Sequence, residues 1–115
     1  MIDRDRLERT LTRVVGMLVS GDYAGLEAIT GGNRLPANEI EEAIHQYGRT
    51  VELPPNGRIE DADVVAVEGS DPQRWSVWLR LWTAEEGRSD LTLETTVVDS
   101  DRPEYLVEID NLEVP

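Results

Sequence analysis

Two stretches decide the fold: Arg74-Trp75-Ser76-Val77-Trp78-Leu79-Arg80-Leu81-Trp82-Thr83 and Asp90-Leu91-Thr92-Leu93-Glu94-Thr95-Thr96-Val97-Val98-Asp99. Both alternate with period two, the mark of a strand with two unlike faces. In the first, Trp75, Val77, Leu79 and Leu81 fall on one side, with Ser76, Trp78, Arg80 and Trp82 on the other. The second sorts Leu91, Leu93, Thr95 and Val97 against Thr92, Glu94, Thr96 and Val98. Between them Ala84-Glu85-Glu86-Gly87-Arg88-Ser89 reads as the turn of an antiparallel hairpin. Pairing Leu81 with Leu93 aligns the apolar sets and sets Arg80 opposite Glu94, a cross-strand charge pair that contributes ~0.2–1 kcal/mol.

Working outward, the same period appears in Thr50–Leu53, stopped by Pro54-Pro55-Asn56-Gly57, and in Asp63–Glu68, stopped by Gly69-Ser70-Asp71-Pro72. Beyond the hairpin, Asp99-Ser100-Asp101-Arg102-Pro103 turns the chain into a last strand, Glu104–Asp110, and Leu112–Val114 adds a short bridge. Upstream the period changes to helical. Leu7, Leu11, Val14, Val15 and Leu18 form one stripe, capped by Asp3 and ended at Ser20-Gly21, and Gly16 inside it implies close packing. Asp22 caps a second helix through Tyr23, Leu26 and Ile29, which Gly31-Gly32 stops. Pro36 suits the first turn of a third helix carrying Ile40, Ala43, Ile44 and Tyr47 and ending at Gly48. Helices followed by strands predict a single α+β domain over 1–115, with three N-terminal helices packed on one face of a four- or five-stranded antiparallel meander sheet.

The chain has 115 residues and a formal charge of −13, and all its basic residues other than His45 are arginine. That charge argues against nucleic acid, whose phosphates require a basic stripe. The absence of cysteine excludes disulfides, thiolate metal sites and thiol nucleophiles. No apolar run approaches the length of a bilayer span, so no membrane is expected. The charged start, Met1 to Arg6, lacks an apolar leader core, and a cytoplasmic protein is the expectation.

Catalytic and metal signals are weak. His45 lies off the apolar stripe of its helix and reads as a surface residue; no nucleophile motif accompanies the serines. Asp61/Asp63 and Asp99/Asp101 begin like calcium loops without the Gly and closing Glu that those loops need, and read as solvated turn acids. No catalytic residue, metal or cofactor is expected.

The most informative feature is the non-core face of the hairpin, where Trp78 and Trp82 flank Arg80, near Glu94. The loop residues Glu85, Glu86, Arg88 and Asp90 form either a charged turn or a recognition rim beside Trp82. Three readings stay open: a loop, tail or inverted parity buries the tryptophans; they form a homodimer or partner surface, since Trp and Arg are enriched in hot spots; or a curved sheet lines a small-molecule pocket with them. The acidity favours a basic protein partner, met by Glu85, Glu86 and Asp90; Glu85→Lys combined with Glu86→Lys would then slow binding and flatten its salt dependence while leaving stability nearly intact.

Gly21-Asp22-Tyr23, the segment 34–48, Pro54-Pro55, the segment 81–93 and the segment 107–114 (Val107-Glu108-Ile109-Asp110-Asn111-Leu112, then Val114) together resemble a family of small bacterial proteins of unknown function. The helices-then-meander order is similar to cystatin-like and cone folds and to acidic immunity proteins of toxin systems. The expected function is therefore a non-catalytic acidic protein-binding module, of immunity or regulatory type, using a Trp/Arg sheet face. The alternative is a small-molecule-binding or minor enzymatic domain whose pocket uses Trp78, Arg80, Trp82 and Glu94.

Overall fold

Strands β3 (Arg74–Thr83) and β4 (Gly87–Val98) pair at the centre of the sheet in a computed structural model that describes residues 1–59 and 61–115. The parity is as the sequence indicates. Trp75, Val77, Leu79 and Leu81 are buried, as are Leu91, Leu93, Thr95 and Val97, whereas Trp78 and Arg80 are exposed.

The register differs from the expectation. Leu79 pairs with Leu93, Trp78 with Glu94 and Arg80 with Thr92, so Arg80 does not face Glu94. The turn is the cause. Thr83 pairs with Gly87, leaving only Ala84, Glu85 and Glu86 as the loop, and Gly87 takes φ 74°. A left-handed residue closing a three-residue hairpin is a favoured arrangement, and glycine adopts it without strain. β4 therefore begins at Gly87 and not at Asp90, and an irregularity between Arg80 and Trp82 adjusts the ladder beyond it. Because the displacement is an even number of residues, every side chain keeps its face.

β1 (Val51–Glu52) and β2 (Asp63–Val67) share the far edge of β3. β1 pairs with Trp82 and Thr83, and β2 with Arg74 to Trp78. β5 (Leu106–Glu113) pairs with β4, and it runs unbroken through the tail that the sequence suggested as a separate bridge. All pairings are antiparallel.

The chain is α+β, with three helices and a five-stranded antiparallel sheet. The expected layering is corrected: the sheet curls into a half-barrel, and the helices do not all lie on one face of it. Long strands coil, and the irregularities at Arg80/Trp82 and Glu94/Thr95 add to that bend. Helix α1 (Arg4–Ser20) adds Leu7, Leu11, Val14, Val15 and Leu18 to the core that the inner sheet residues form. Helices α2 (Tyr23–Thr30) and α3 (Ala37–Tyr47) contact each other and β5.

Local chemistry fixes the helices. The Asp3 carboxylate accepts from the N–H groups of Asp5 and Arg6, and the Asp22 carboxylate from that of Gly25 at 3.0 Å. Pro36 is the N-cap of α3, one step before the expected first turn, and the orphan N–H of Ala37 donates to Glu27 instead (2.8 Å). Arg6 lies 4.0 Å over the Tyr105 ring and donates to the carbonyls of Ser100 and Arg102, tying α1 to the β4–β5 turn. Gly16 departs from expectation: an added methyl there would meet nothing within 4 Å.

Candidate functional site

The outer face of the sheet is built in cross-strand rows. The central row reads Asp63–Trp78–Glu94–Asn111. The next is Val65–Ser76–Thr96–Glu108, and then Val67–Arg74–Val98–Leu106. Trp78 is 43% exposed and Val65 is 65% exposed, with Val67 and Leu106 also open to solvent. Tyr105, by contrast, is buried on the inner side against Trp75, with ring centroids 5.4 Å apart.

The acids of this face divide into two groups. Glu108 pairs with Arg74 at 3.2 Å, and Asp110 pairs with Arg34 at 3.5 Å while accepting from Thr96 at 2.7 Å. Asp63, Glu94 and Glu113 have no basic partner among the described residues. Glu94 is consequently raised above the ordinary glutamate range, first by burial and then by the charges of Glu113 and Asp110. The surface beside Trp78 thus holds carboxylates that no basic side chain among the described residues pairs with.

Glu85 and Glu86 are not an open rim. Glu85 accepts from the Thr50 N–H at 2.8 Å and the Thr50 hydroxyl at 2.9 Å, which holds its carboxyl below the usual range. The Glu86 carboxylate accepts from the hydroxyls of Tyr47 (2.8 Å), Thr83 (3.0 Å) and Ser89 (3.0 Å), and the Tyr47 bond is the main reason its carboxyl is also held low. Thr83 and Ser89 are buried, and the Glu86 carboxylate joins their hydroxyls to that of Tyr47 in one network, with Ser89 also 2.7 Å from the Tyr47 hydroxyl. The two glutamates fasten the hairpin to β1 and to the end of α3. The expectation that reversing them spares stability is corrected on this ground.

Arg80, Trp82 and Arg88 belong to a cleft. β1 covers β3 at Trp82 and Thr83 and β2 covers it up to Trp78, so among the described residues the edge at Leu79 to Leu81 has no strand beside it. A cleft of about 410 Å³ opens there, lined by Leu79, Arg80, Trp82, Arg88, Pro54 and Arg58, among others. Arg80 donates to the Ser89 carbonyl (3.1 Å) and to Asp90 (3.2 Å), Arg88 pairs with Asp61, and Arg58 pairs with Glu8. The structure therefore separates the two tryptophans. Trp82 turns toward the Pro54 loop and Gly87, whereas Trp78 and Glu94 do not line the cleft.

His45 is exposed, as its place off the apolar stripe indicates. Asp61 and Asp99 are engaged with Arg88 and Arg6, and among the described residues no cluster of three metal-ligating side chains occurs. The residues that sequence reasoning missed are Asp63, Val65 and Val67, which extend the Trp78 face across β2. Their period-two spacing was visible, but valine on both parities of Asp63–Glu68 hid which side faced out. Also missed were Arg58 and Pro54, in a loop without periodicity.

Comparison with the curated proteins and with the solved structures found no match. A family model does match, over residues 15–115, from α1 to the end of β5. By that match, which spans most of the chain, the protein belongs to the family described as the domain of unknown function DUF7668.

Proposed function

We propose that the protein is a non-catalytic, acidic protein-binding module whose docking surface is the outer face of the sheet around Trp78. One observation carries the reading: a large aromatic, 43% exposed, sits mid-sheet in a row with Asp63 and Glu94, neither of which has a cationic partner among the described residues. Aromatic anchors supply most of the energy of an interface, and surrounding charges set its encounter rate and choice of partner. The partner is basic. A second copy would bring Asp63, Glu94 and Glu113 against the same acids, so the homodimer is the weaker form of this proposal. A bacterial, cytoplasmic regulatory or immunity role fits such a module.

A photo-crosslinking residue in place of Ser76, within the outer face, tests the reading. The captured partner is expected to be basic, to bind more weakly as salt rises, and to lose affinity when Trp78→Glu is introduced. An acidic partner, or one indifferent to Trp78→Glu, refutes the proposal.

The cleft supports a second reading. Arg58, Arg80 and Arg88 lie beside Trp82 and are engaged by Glu8, Asp90 and Asp61, so a small anionic ligand with a planar group would bind there by taking the place of those carboxylates. Binding of such ligands that Trp82→Ala abolishes and Trp78→Glu spares would favour it.

A further inference from the structure

β2 is an edge strand. It pairs with β3 on one side and, among the described residues, with no strand on the other. Edges of this kind present unpaired N–H and C=O groups to any extended chain, and proteins usually blunt them with Lys, Pro, a bulge or a cover. β2 has neither Lys nor Pro, and it pairs with β3 from Asp63 through Val67 without a register shift. Its run Val64-Val65-Ala66-Val67 has the composition of a strand that other strands join. Asp63, Val65, Ala66 and Val67 are all exposed. What guards the strand is negative charge at its ends, Asp61 before it, Asp63 as its first residue and Glu68 after it.

We propose that a partner segment joins β2 as an additional antiparallel strand, and that the segment reads apolar–x–apolar–x–Arg/Lys from its N-terminal end. This rests on the outer face being the protein-binding surface. In an antiparallel pair, the residue opposite Asp63 follows the one opposite Val65 by two positions and the one opposite Val67 by four. Alternation puts all three on the outer face. The basic side chain then extends the row Asp63–Trp78–Glu94, and the two apolar side chains cover Val65 and Val67. Main-chain bonds to the edge give affinity, and the alternate side chains give selectivity.

Charge decides the occupant. Two copies pairing β2 to β2 about Val65 would set Asp63 of each opposite Val67 of the other, with Glu68 alongside. Acids from both chains would meet there, and Arg74, next in the row after Val67, is already paired with Glu108, so the like charges destabilise the sheet. A basic segment removes that conflict and neutralises Asp63.

The test uses the full chain, ¹⁵N-labelled, with synthetic hexapeptides. The first is valine–threonine–valine–threonine–arginine–threonine; the second replaces arginine with glutamate; the third is the first with alternate backbone nitrogens methylated. The arginine peptide is expected to bind and to slow hydrogen exchange at those β2 amides that do not donate to β3. The glutamate peptide should bind at least about tenfold more weakly, since like charge is selected against. Val65→Lys, at an exposed position that leaves the fold intact, should weaken the arginine peptide by a similar factor. Failure of the arginine peptide to bind at millimolar concentration overturns the proposal, as does binding of the methylated peptide equal to that of the first. Shifts at Trp78 without protection of β2 would refute strand addition while leaving the outer-face reading standing. Protection of β2 that Trp78→Ala does not alter would uphold strand addition and count against that reading.

Discussion

Truncating Leu93 asks directly which side of the sheet is the core. Leu93 is fully buried on β4, paired with Leu79 on β3 and Leu112 on β5, both buried. Leu93→Ala removes three carbons worth about 0.8 kcal/mol each. Its neighbours are held on both sides by ladder bonds, so the site collapses only in part. A residual cavity of about 50 Å³ adds roughly 1.2 kcal/mol at ~24 cal/mol per Å³. The loss is then about 3.5 kcal/mol, within the ~2–5 kcal/mol that such truncations cost. For a chain of 115 residues, an unfolding entropy of ~2.1 cal/mol/K per residue converts this into a fall in Tm of about 15 °C. Thermal and urea unfolding followed by far-ultraviolet circular dichroism measure it. Val65→Thr, on the outer face and still β-branched, serves as control and should stay within about 0.5 kcal/mol. A Leu93→Ala loss under about 1 kcal/mol, or a larger loss at Val65, would refute the assignment of faces.

Further outcomes follow from the same geometry. Gly16→Ala should stabilise by about 0.5–1 kcal/mol in chemical denaturation, since the helix gains propensity and the methyl meets nothing within 4 Å. Glu86 is held low, chiefly by the Tyr47 hydroxyl, so its contribution is complete at neutral pH and is lost as pH falls below the ordinary glutamate range. Glu86→Gln should therefore lower Tm at pH 7, by an amount that shrinks as pH falls below the ordinary glutamate range. Glu94 is shifted the other way, so stability falls as pH rises from the ordinary glutamate range through Glu94's own. Glu94→Gln should raise Tm at pH 7 and leave it unchanged at pH 3. Trp78→Glu should leave the circular dichroism spectrum unaltered while abolishing capture of a basic partner.

Much of this fold is legible in the chain because the strongest signals are local. Alternation in Arg74–Thr83 assigns faces whatever the register, and Asp3, Asp22, Gly21, Gly31 and Gly48 mark helix ends by side-chain capping or left-handed backbone. The register was not legible, because it hangs on Gly87, and a glycine in a six-residue stretch does not announce which of its neighbours pair. The curl of the sheet was hidden for a related reason: irregularities at Arg80/Trp82 and Glu94/Thr95 leave no trace in the period. At the candidate site, Trp78 and Glu94 were found from parity alone. The roles of Glu85 and Glu86 were misread, since their partners Thr50 and Tyr47 lie some distance away in sequence and only the tertiary structure brings them together. Arg80 and Trp82 were grouped with Trp78 by periodicity, but the gap between β1 and β2 draws them into a separate cleft.

The measurement that bears most directly on the account is a residue-resolved NMR titration of the chain with the basic partner captured through the outer face. The account predicts that the Trp78 indole N–H and the amides of Asp63, Ser76 and Glu94 move first, and that Trp78→Glu abolishes the response. Shifts centred on Arg58, Trp82 and Arg88, with Trp78 unmoved, would contradict it.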